Sequence, residues 1–341
     1  MDKWIGCRSL SMALIFGFPL ACSARVEKKV AVKPVLSPQV ILSHLPKYSL
    51  AARRPLEAAL LNEHFDGVIP SAIVEEVIRL QGGAATAEQL MVDLLPIARL
   101  YSVPPTSGFR VGAVCQGLSG NLYFGANLEL AGAPLGFAIH AEQSAIADAL
   151  AHEEKAVERL AVTAAPCGHC RQFLNELTTA STLQVIIPDK PKTTLAALLP
   201  NSFGPADLGV KAGLGGQPET LLTSVSGAVD PVEQAALRAA SRSYSPYTAS
   251  YSGAAFRLKD GKILAGSYVE NAAYNPSLPP IIAAIDRLRF SGASYADISE
   301  AALAELEGAK ISQEGVTRLI LQSIAPGVQL RVVKLRVAKA R

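Results

Sequence analysis

Residues 140–142 read His-Ala-Glu, and residues 167–170 read Cys-Gly-His-Cys. Two thiols three positions apart and one imidazole form a donor set suited to zinc. Three protein ligands leave one tetrahedral position free, which is the pattern of catalytic rather than structural zinc. Glu142 stands beside the ligand position without being needed as a ligand. Zinc lowers the pKa of a water it holds from about 15.7 to about 7, and a nearby carboxylate can carry the released proton onward. The spacing therefore points to metal-assisted hydrolysis, with His140, Cys167 and Cys170 as ligands and Glu142 as the acid–base group. Blander readings compete. A carboxylate in a first helical turn suits the helix dipole whatever its chemistry. His169 could close the site as a fourth ligand, although neighbours on a helical turn point about 100° apart. A redox CxxC pair would leave His140 and Glu142 without a role.

These residues must be positioned by helix starts. In "HAEQSAIADAL", Ala145, Ile146, Ala149 and Leu150 fall at helical spacing, predicting a helix over 140–152. A strand is predicted at 160–164. A second helix follows over 167–177, with Cys170, Phe173, Leu174 and Leu177 on one face. Its first turn holds both cysteines, where unpaired backbone N–H groups favour thiolate. Two helix starts separated by a single strand, at one edge of a sheet, would bring His140 to the two sulfurs.

The chain also repeats itself. Gly112, Gly125 and Glu129 match Gly253, Gly266 and Glu270, each pair 141 residues apart (253 − 112, 266 − 125, 270 − 129). A shared offset across three marks predicts a duplicated domain. Each copy opens with a Tyr-Ser-Pro loop and two strands, and "KDG" in the second copy is a hairpin turn. A helix, strand, helix and strand follow. In the second copy the last helix is expected at 313–324 and the last strand at 330–337. Alternating strands and helices predict an α/β fold with a mixed sheet covered by helices. At the same offset His140 and Glu142 fall on Ile281 and Ala283, and "SQEGV" stands for "PCGHC", so the second copy has lost the chemistry. Ahead of the repeat, residues 56–100 read as mostly helical, and Pro38, Pro46 and Pro55 are expected to interrupt helices. The expected organisation is a leader to residue 34 and a small helical domain over 35–95. A catalytic domain over 96–190, a Pro/Gly-rich linker over 191–230 and a silent domain to residue 341 follow.

With 32 basic and 29 acidic residues, the net charge of +3 is too even to signal a nucleic-acid partner. Aromatic residues make up 6% of the chain, too few for an extended base-stacking surface. The five cysteines, Cys7, Cys22, Cys115, Cys167 and Cys170, do not make a disulfide framework. Lys3 and Arg8 precede an apolar run from Leu10 to Leu20. This stretch reads as a short secretory signal, an extension upstream of the true start, or a disordered leader. It is too short to span a bilayer, and no other segment looks transmembrane. A cytoplasmic enzyme is expected, with export left open by that segment.

The motifs HAE and PCxxC occur together in zinc-dependent nucleoside and nucleobase deaminases. With "FRVGAV", "YFGANLE", "LLPNSFGPADL", "RSYSPY" and "GSYVENAAYNPSLPP", the chain from about residue 50 onward closely resembles the dimeric cytidine deaminases of bacteria and plants. The resemblance implies duplicated three-layer αβα domains and one zinc ion per chain, held by His140, Cys167 and Cys170. It implies Glu142 as proton shuttle and substrate contacts from Phe109, Asn127, Glu129 and Ala141. Phe109 would pack on the pyrimidine, Asn127 and Glu129 would hold the ribose hydroxyl, and Phe203 would help close the pocket. The implied reaction is hydrolysis of cytidine and 2′-deoxycytidine to the uridine products and ammonia, as in pyrimidine salvage. The implied partner is a second copy of the chain, whose "NAAYNPSLPP" region caps the active site. Structural readings stand beside these: Phe109 as a core residue at the start of a strand, Asn127 as a turn residue, Glu129 as a solvated one. At the level of function, the alternatives are a deaminase of another cytosine or nucleobase substrate and a non-catalytic zinc protein.

Overall fold

The computed structural model describes residues 36–82 and 85–338; the signal-like segment, Cys7 and Cys22 lie outside the described residues. The described chain enters through α1 (Pro38–Ser43), α2 (Leu50–Leu60), α3 (Ser71–Leu80) and α4 (Ala87–Leu100). Pro46 falls between helices as expected, but Pro38 and Pro55 do not interrupt them. Pro38 opens α1 at its first position, where its missing N–H costs nothing. Pro55 sits inside α2, whose Ala52, Leu56 and Leu60 are all buried, so packing outweighs one lost backbone bond.

Strands β1 (Val68–Ile69), β2 (Gly112–Gly117), β3 (Leu122–Ala126), β4 (Val157–Val162), β5 (Gln184–Ile186) and β6 (Thr193–Thr194) form one sheet, ordered β1-β3-β2-β4-β5-β6. Only the β4–β5 pairing is parallel. Along β2 the residues alternate: Val114 faces the core of the entering helices, Ala113 and Cys115 the opposite one. Helix α4 covers the first face, and α5 (Ala141–Ala151) with α6 (Gly168–Leu174) lies on the other. Both faces being covered explains why every residue of β2 and β3 is buried.

The segment between the copies holds α7 (Leu195–Leu198) and β7 (Leu222–Ser224); β6, just before α7, completes the first sheet, and β7 lies at the edge of the second. That second sheet adds β8 (Ser252–Leu258), β9 (Ile263–Ser267), β10 (Ile298–Leu306) and β11 (Leu330–Val337), in the order β7-β11-β10-β8-β9. Helices α8 (Pro231–Ser241) and α9 (Pro280–Phe290) cover its two faces, and α10 (Glu314–Ile324) packs beside β11. Each copy is thus a three-layer αβα unit. Helices α5 and α9 pack against each other, and one apolar core runs through both copies.

The repeated glycines have a physical cause. A Cβ on Gly125 would lie 2.1 Å from the Ala141 carbonyl oxygen, and one on Gly266 would lie 2.5 Å from that of Pro280. In both copies the helix backbone rests directly on the strand, which only glycine permits. The same contact corrects the expected pairing of the helices. Ala141 matches Pro280 and Ala145 matches Ala284, an offset of 139 (280 − 141, 284 − 145). The second copy is two residues shorter between its glutamate and its helix. The counterparts of His140 and Glu142 are therefore Pro279 and Ile281, not Ile281 and Ala283. Two predicted boundaries also move. The strand expected at 160–164 runs Val157–Val162, in register with β2. The helix expected to reach Leu177 ends at Leu174, because Leu177 leaves it to bridge with Leu214.

Candidate active site

His140 and Cys167 occupy the same place in their helices: each is the extended residue preceding the first turn, of α5 and α6 respectively. The helices follow β3 and β4 on one face of the sheet, so their starts converge. Cys170 Sγ lies 3.2 Å from His140 Nδ1, Cys167 Sγ lies 3.5 Å from the same nitrogen, and the sulfurs are 3.6 Å apart. With Zn–S near 2.3 Å and Zn–N near 2.0–2.1 Å, tetrahedral ligands would stand about 3.8 Å (S to S) and about 3.6 Å (S to N) apart. The triangle fits zinc, with all three ligand atoms within 4.8 Å of one another. Two sulfurs this close share one proton. The hydrogen bond from the Cys170 thiol, aided by His140, pulls Cys167 down to about 4. That same bond, with burial, pushes Cys170 up.

Glu142 is 4% exposed, in the first turn of α5. Burial raises its carboxyl above the usual range, while its own backbone N–H and His140 pull the other way. A carboxyl held above its usual range, beside a cation site, suits proton transfer. His169 is not a member of the ligand cluster. Its ring lies 6.1 Å from that of His140, and its Nε2 is 3.3 Å from Gln143 Nε2. Gln143 also accepts from the His140 backbone N–H through Oε1. It therefore links the first ligand to the residue between the other two. A glutamine at the third helical position was the available signal for this reciprocal cap.

The expected substrate contacts lie just before β2, just after β3 and at the start of α5. Leu128 bridges Ile139 in antiparallel fashion, which sets Asn127 opposite His140. Asn127 is buried; its Oδ1 accepts from Ser102 Oγ at 2.5 Å and from the Val111 N–H at 2.8 Å, and its amide donates to the Phe109 carbonyl at 2.8 Å. Glu129 accepts from the Thr106 and Ser107 N–H groups at 2.8 and 2.9 Å and from the Ser107 hydroxyl. These bonds hold its carboxyl below the usual range against the effect of burial. Neither a plain turn residue nor a freely solvated one describes this pair. Phe109 is 62% exposed and precedes β2 by three residues, so it neither begins the strand nor sits in the core. The loop 102–111 satisfies the Asn127 amide through the Phe109 carbonyl, the Val111 N–H and the Ser102 hydroxyl, leaving the Phe109 ring exposed. Ala141, buried, is the first residue of α5, where helix N–H groups lack partners within the helix. Phe203 is also exposed, with its carbonyl held by Gln172 and Asn175 of the α6 region at 2.9 and 3.1 Å.

Comparison with known proteins agrees with this geometry. A family model described as the cytidine and deoxycytidylate deaminase zinc-binding region matches residues 85–186, and a second of the same description matches residues 195–318. A cytidine deaminase of Vibrio cholerae is 44% identical over 280 residues, covering 82% of this chain and 94% of its own length. One from Photobacterium profundum is 46% identical over 248 residues, covering 73% of this chain and 83% of its own. Among solved structures, the cytidine deaminase of Burkholderia pseudomallei is 31% identical; the match covers 33% of this chain and 96% of that one, with a TM-score of 0.31. Identity at this level across most of the chain, with both copies matched as deaminase regions, places the protein in the cytidine deaminase family.

Proposed function

We propose that the chain hydrolyses cytidine and 2′-deoxycytidine to uridine and 2′-deoxyuridine, releasing ammonia, with one zinc ion held by His140, Cys167 and Cys170. The observation that carries this reading is the ligand triangle with the buried carboxylate of Glu142 beside it. Bound zinc would supply an acidified water and a fixed positive charge. The chain's own residues do the rest. Glu142 takes one proton of the attacking water and delivers it to N3 of the cytosine; it then takes the second, from the hydroxyl left at C4, and passes it to the departing amine. Asn127 and Glu129, two positions apart at the end of β3, hold the ribose, and Phe109 lies along the pyrimidine. Ala141 offers its backbone at the start of α5. The substrate in this reading is a free nucleoside, so no base has to be drawn from a duplex. The test is ammonia release by the purified protein with cytidine, cytosine and single-stranded DNA side by side. Turnover of cytosine or DNA in preference to cytidine would select the other deaminase reading, and no release from any would select a non-catalytic zinc protein.

We read the boundaries 35–95, 96–190, 191–230 and 231–341 as the working domains, with the leader before them. The enzyme belongs in the cytoplasm, whose reducing conditions keep both ligand thiols free. Among the described residues no helix is long and apolar enough to cross a membrane. We also propose a two-fold homodimer in which the silent copy completes the partner's pocket. In "NAAYNPSLPP", Asn271 binds the Gln172 carbonyl of its own chain at 2.9 Å, while Tyr274 stands exposed at a positive φ of 61°. A non-glycine residue held in that conformation is strained, which suits a loop kept for contact. Sedimentation should give a dimer, and mixing Cys167→Ala with Tyr274→Ala chains should restore activity that neither has alone. A fully active monomer would overturn the trans arrangement.

A further inference from the structure

Arg289 belongs to the silent copy, near the end of α9, and is 1% exposed. Its guanidinium does not serve its own domain alone. Nη1 donates to the Asn127 carbonyl at 3.1 Å and Nη2 to the Ser144 hydroxyl at 3.0 Å, while Asp286 pairs with Nη2. Both Asn127 and Ser144 lie in the active copy, one just past β3 and the other in α5, two residues after Glu142.

Ser144 is the joint of this arrangement. Its oxygen accepts from the Ala126 N–H at the end of β3 and from Arg289, and its hydroxyl donates to Asp286 at 2.9 Å. A hydroxyl has one donor and two acceptor positions, and all three are used. The node is absent from the second copy. At the helix offset of 139, Ser144 matches Ala283 and Arg289 matches Leu150. A buried ion pair is a weak stabilising device compared with apolar packing of similar volume. This one lies within α9, and the hydrogen bonds that Arg289 makes from it cross to a strand exit and a helix that carry different parts of the site.

We propose that Arg289 is a positioning residue for nucleoside binding: it fixes Asn127 relative to the helix that starts with His140 and Glu142. The inference rests on the reading that Asn127 holds the ribose. One arm of the guanidinium fixes the backbone of the ribose-binding residue, and the other fixes the first turns of α5. The silent copy thereby acts within its own chain, independently of any cap on a partner.

The test uses the full chain loaded with zinc. Arg289→Lys keeps the charge against Asp286 but cannot place two separate donors in a fixed fork. The readout is the ratio of kcat/KM for cytidine to kcat/KM for 3′-deoxycytidine, with zinc content measured in parallel. The expected result is full zinc and a ratio lowered about tenfold, the scale of one hydrogen bond. A general loosening of the fold would lower both substrates together and leave the ratio unchanged; that outcome overturns the proposal. Should Arg289→Lys not fold, the pair Asp286→Asn with Arg289→Gln removes both charges at once and is read in the same way. Asn127→Ala separates the two ideas. If it too leaves the ratio unchanged, the ribose reading fails and this inference falls with it. If Asn127→Ala lowers the ratio and the Arg289 variants do not, only the inference is overturned.

Discussion

The two copies keep the same loop by the same bonds. Glu129 accepts from the N–H groups of Thr106 and Ser107, and Glu270 accepts from those of Tyr247 and Thr248, 141 residues further on. The copies part at what fills the space beyond. In the active copy Phe109 and Cys167 stand exposed. In the silent copy the residue at the Phe109 position is Ser250, which is buried. The carboxylate of Glu176, which reaches in from the active copy, accepts from the Tyr244 and Tyr247 hydroxyls at 2.9 and 2.7 Å and from the Ala272 N–H at 2.7 Å. The comparison teaches that the loop framework is kept where the chemistry is not: in each copy one carboxylate fixes the turn by accepting from two successive backbone N–H groups. In the silent copy this loop is a joint between domains.

The comparison breaks most sharply at the ligands and shuttle. Glu142→Gln should retain zinc and lose about 10²–10⁴ in kcat, the range for a positioned acid–base group. Near-normal turnover with full zinc would remove Glu142 from the reaction. Cys167→Ala and Cys170→Ala should both lose zinc and activity together, since two ligands hold the ion poorly; metal analysis of each decides this. If both keep one zinc per chain, the triangle is not the metal site.

Glu129→Gln and Glu270→Gln sharpen the comparison. Both remove a charge from the same framework, so each should cost a similar amount of stability, about 1–3 kcal/mol. Only Glu129→Gln should also raise KM for cytidine. Equal effects on KM would reduce Glu129 to a framework residue. Glu176→Ala leaves two tyrosine hydroxyls and the Ala272 N–H without their acceptor. It should lower Tm by several degrees, on the scale of about 1–3 kcal/mol, with the zinc content unchanged. Unchanged Tm would show that the silent loop is not a joint.

The last effect concerns pH. Asp148, on α5, is fully buried near Arg287 of α9 and near His152, and burial pushes its carboxyl up to about 7. A carboxyl whose folded pKa is raised favours folding while protonated, and that contribution is lost as pH rises from about 4 to about 7. Asp148→Asn should therefore raise Tm more at pH 8 than at pH 5. Between pH 5 and pH 8 the difference has an upper bound of roughly 3 kcal/mol, from about two units at 1.36 kcal/mol each. A larger gain at pH 5 would mean that the charged pair with Arg287 stabilises the domain contact.

The sequence by itself determined the class of fold from short spacings and the duplication from one offset of 141 residues, and it pointed to the His140, Cys167 and Cys170 that the fold brings together. A CxxC at a helix start, an imidazole at the preceding helix start and glycines where helix meets strand are local facts. Periodicity also located α5, α10 and β11 to within a residue or so. Tertiary structure alone decided the rest. The two-residue shift that makes Pro279 and Ile281 the silent counterparts shows only where helices rest on strands. Pro55 in mid-helix is settled by the core beneath it. Arg289 and Ser144 are 145 residues apart, and Glu176 and Tyr244 are 68 apart. No periodicity reaches across such distances, so these partners are chosen by the packing of one domain on the other, where a buried polar group must find a mate or carry a cost of several kcal/mol.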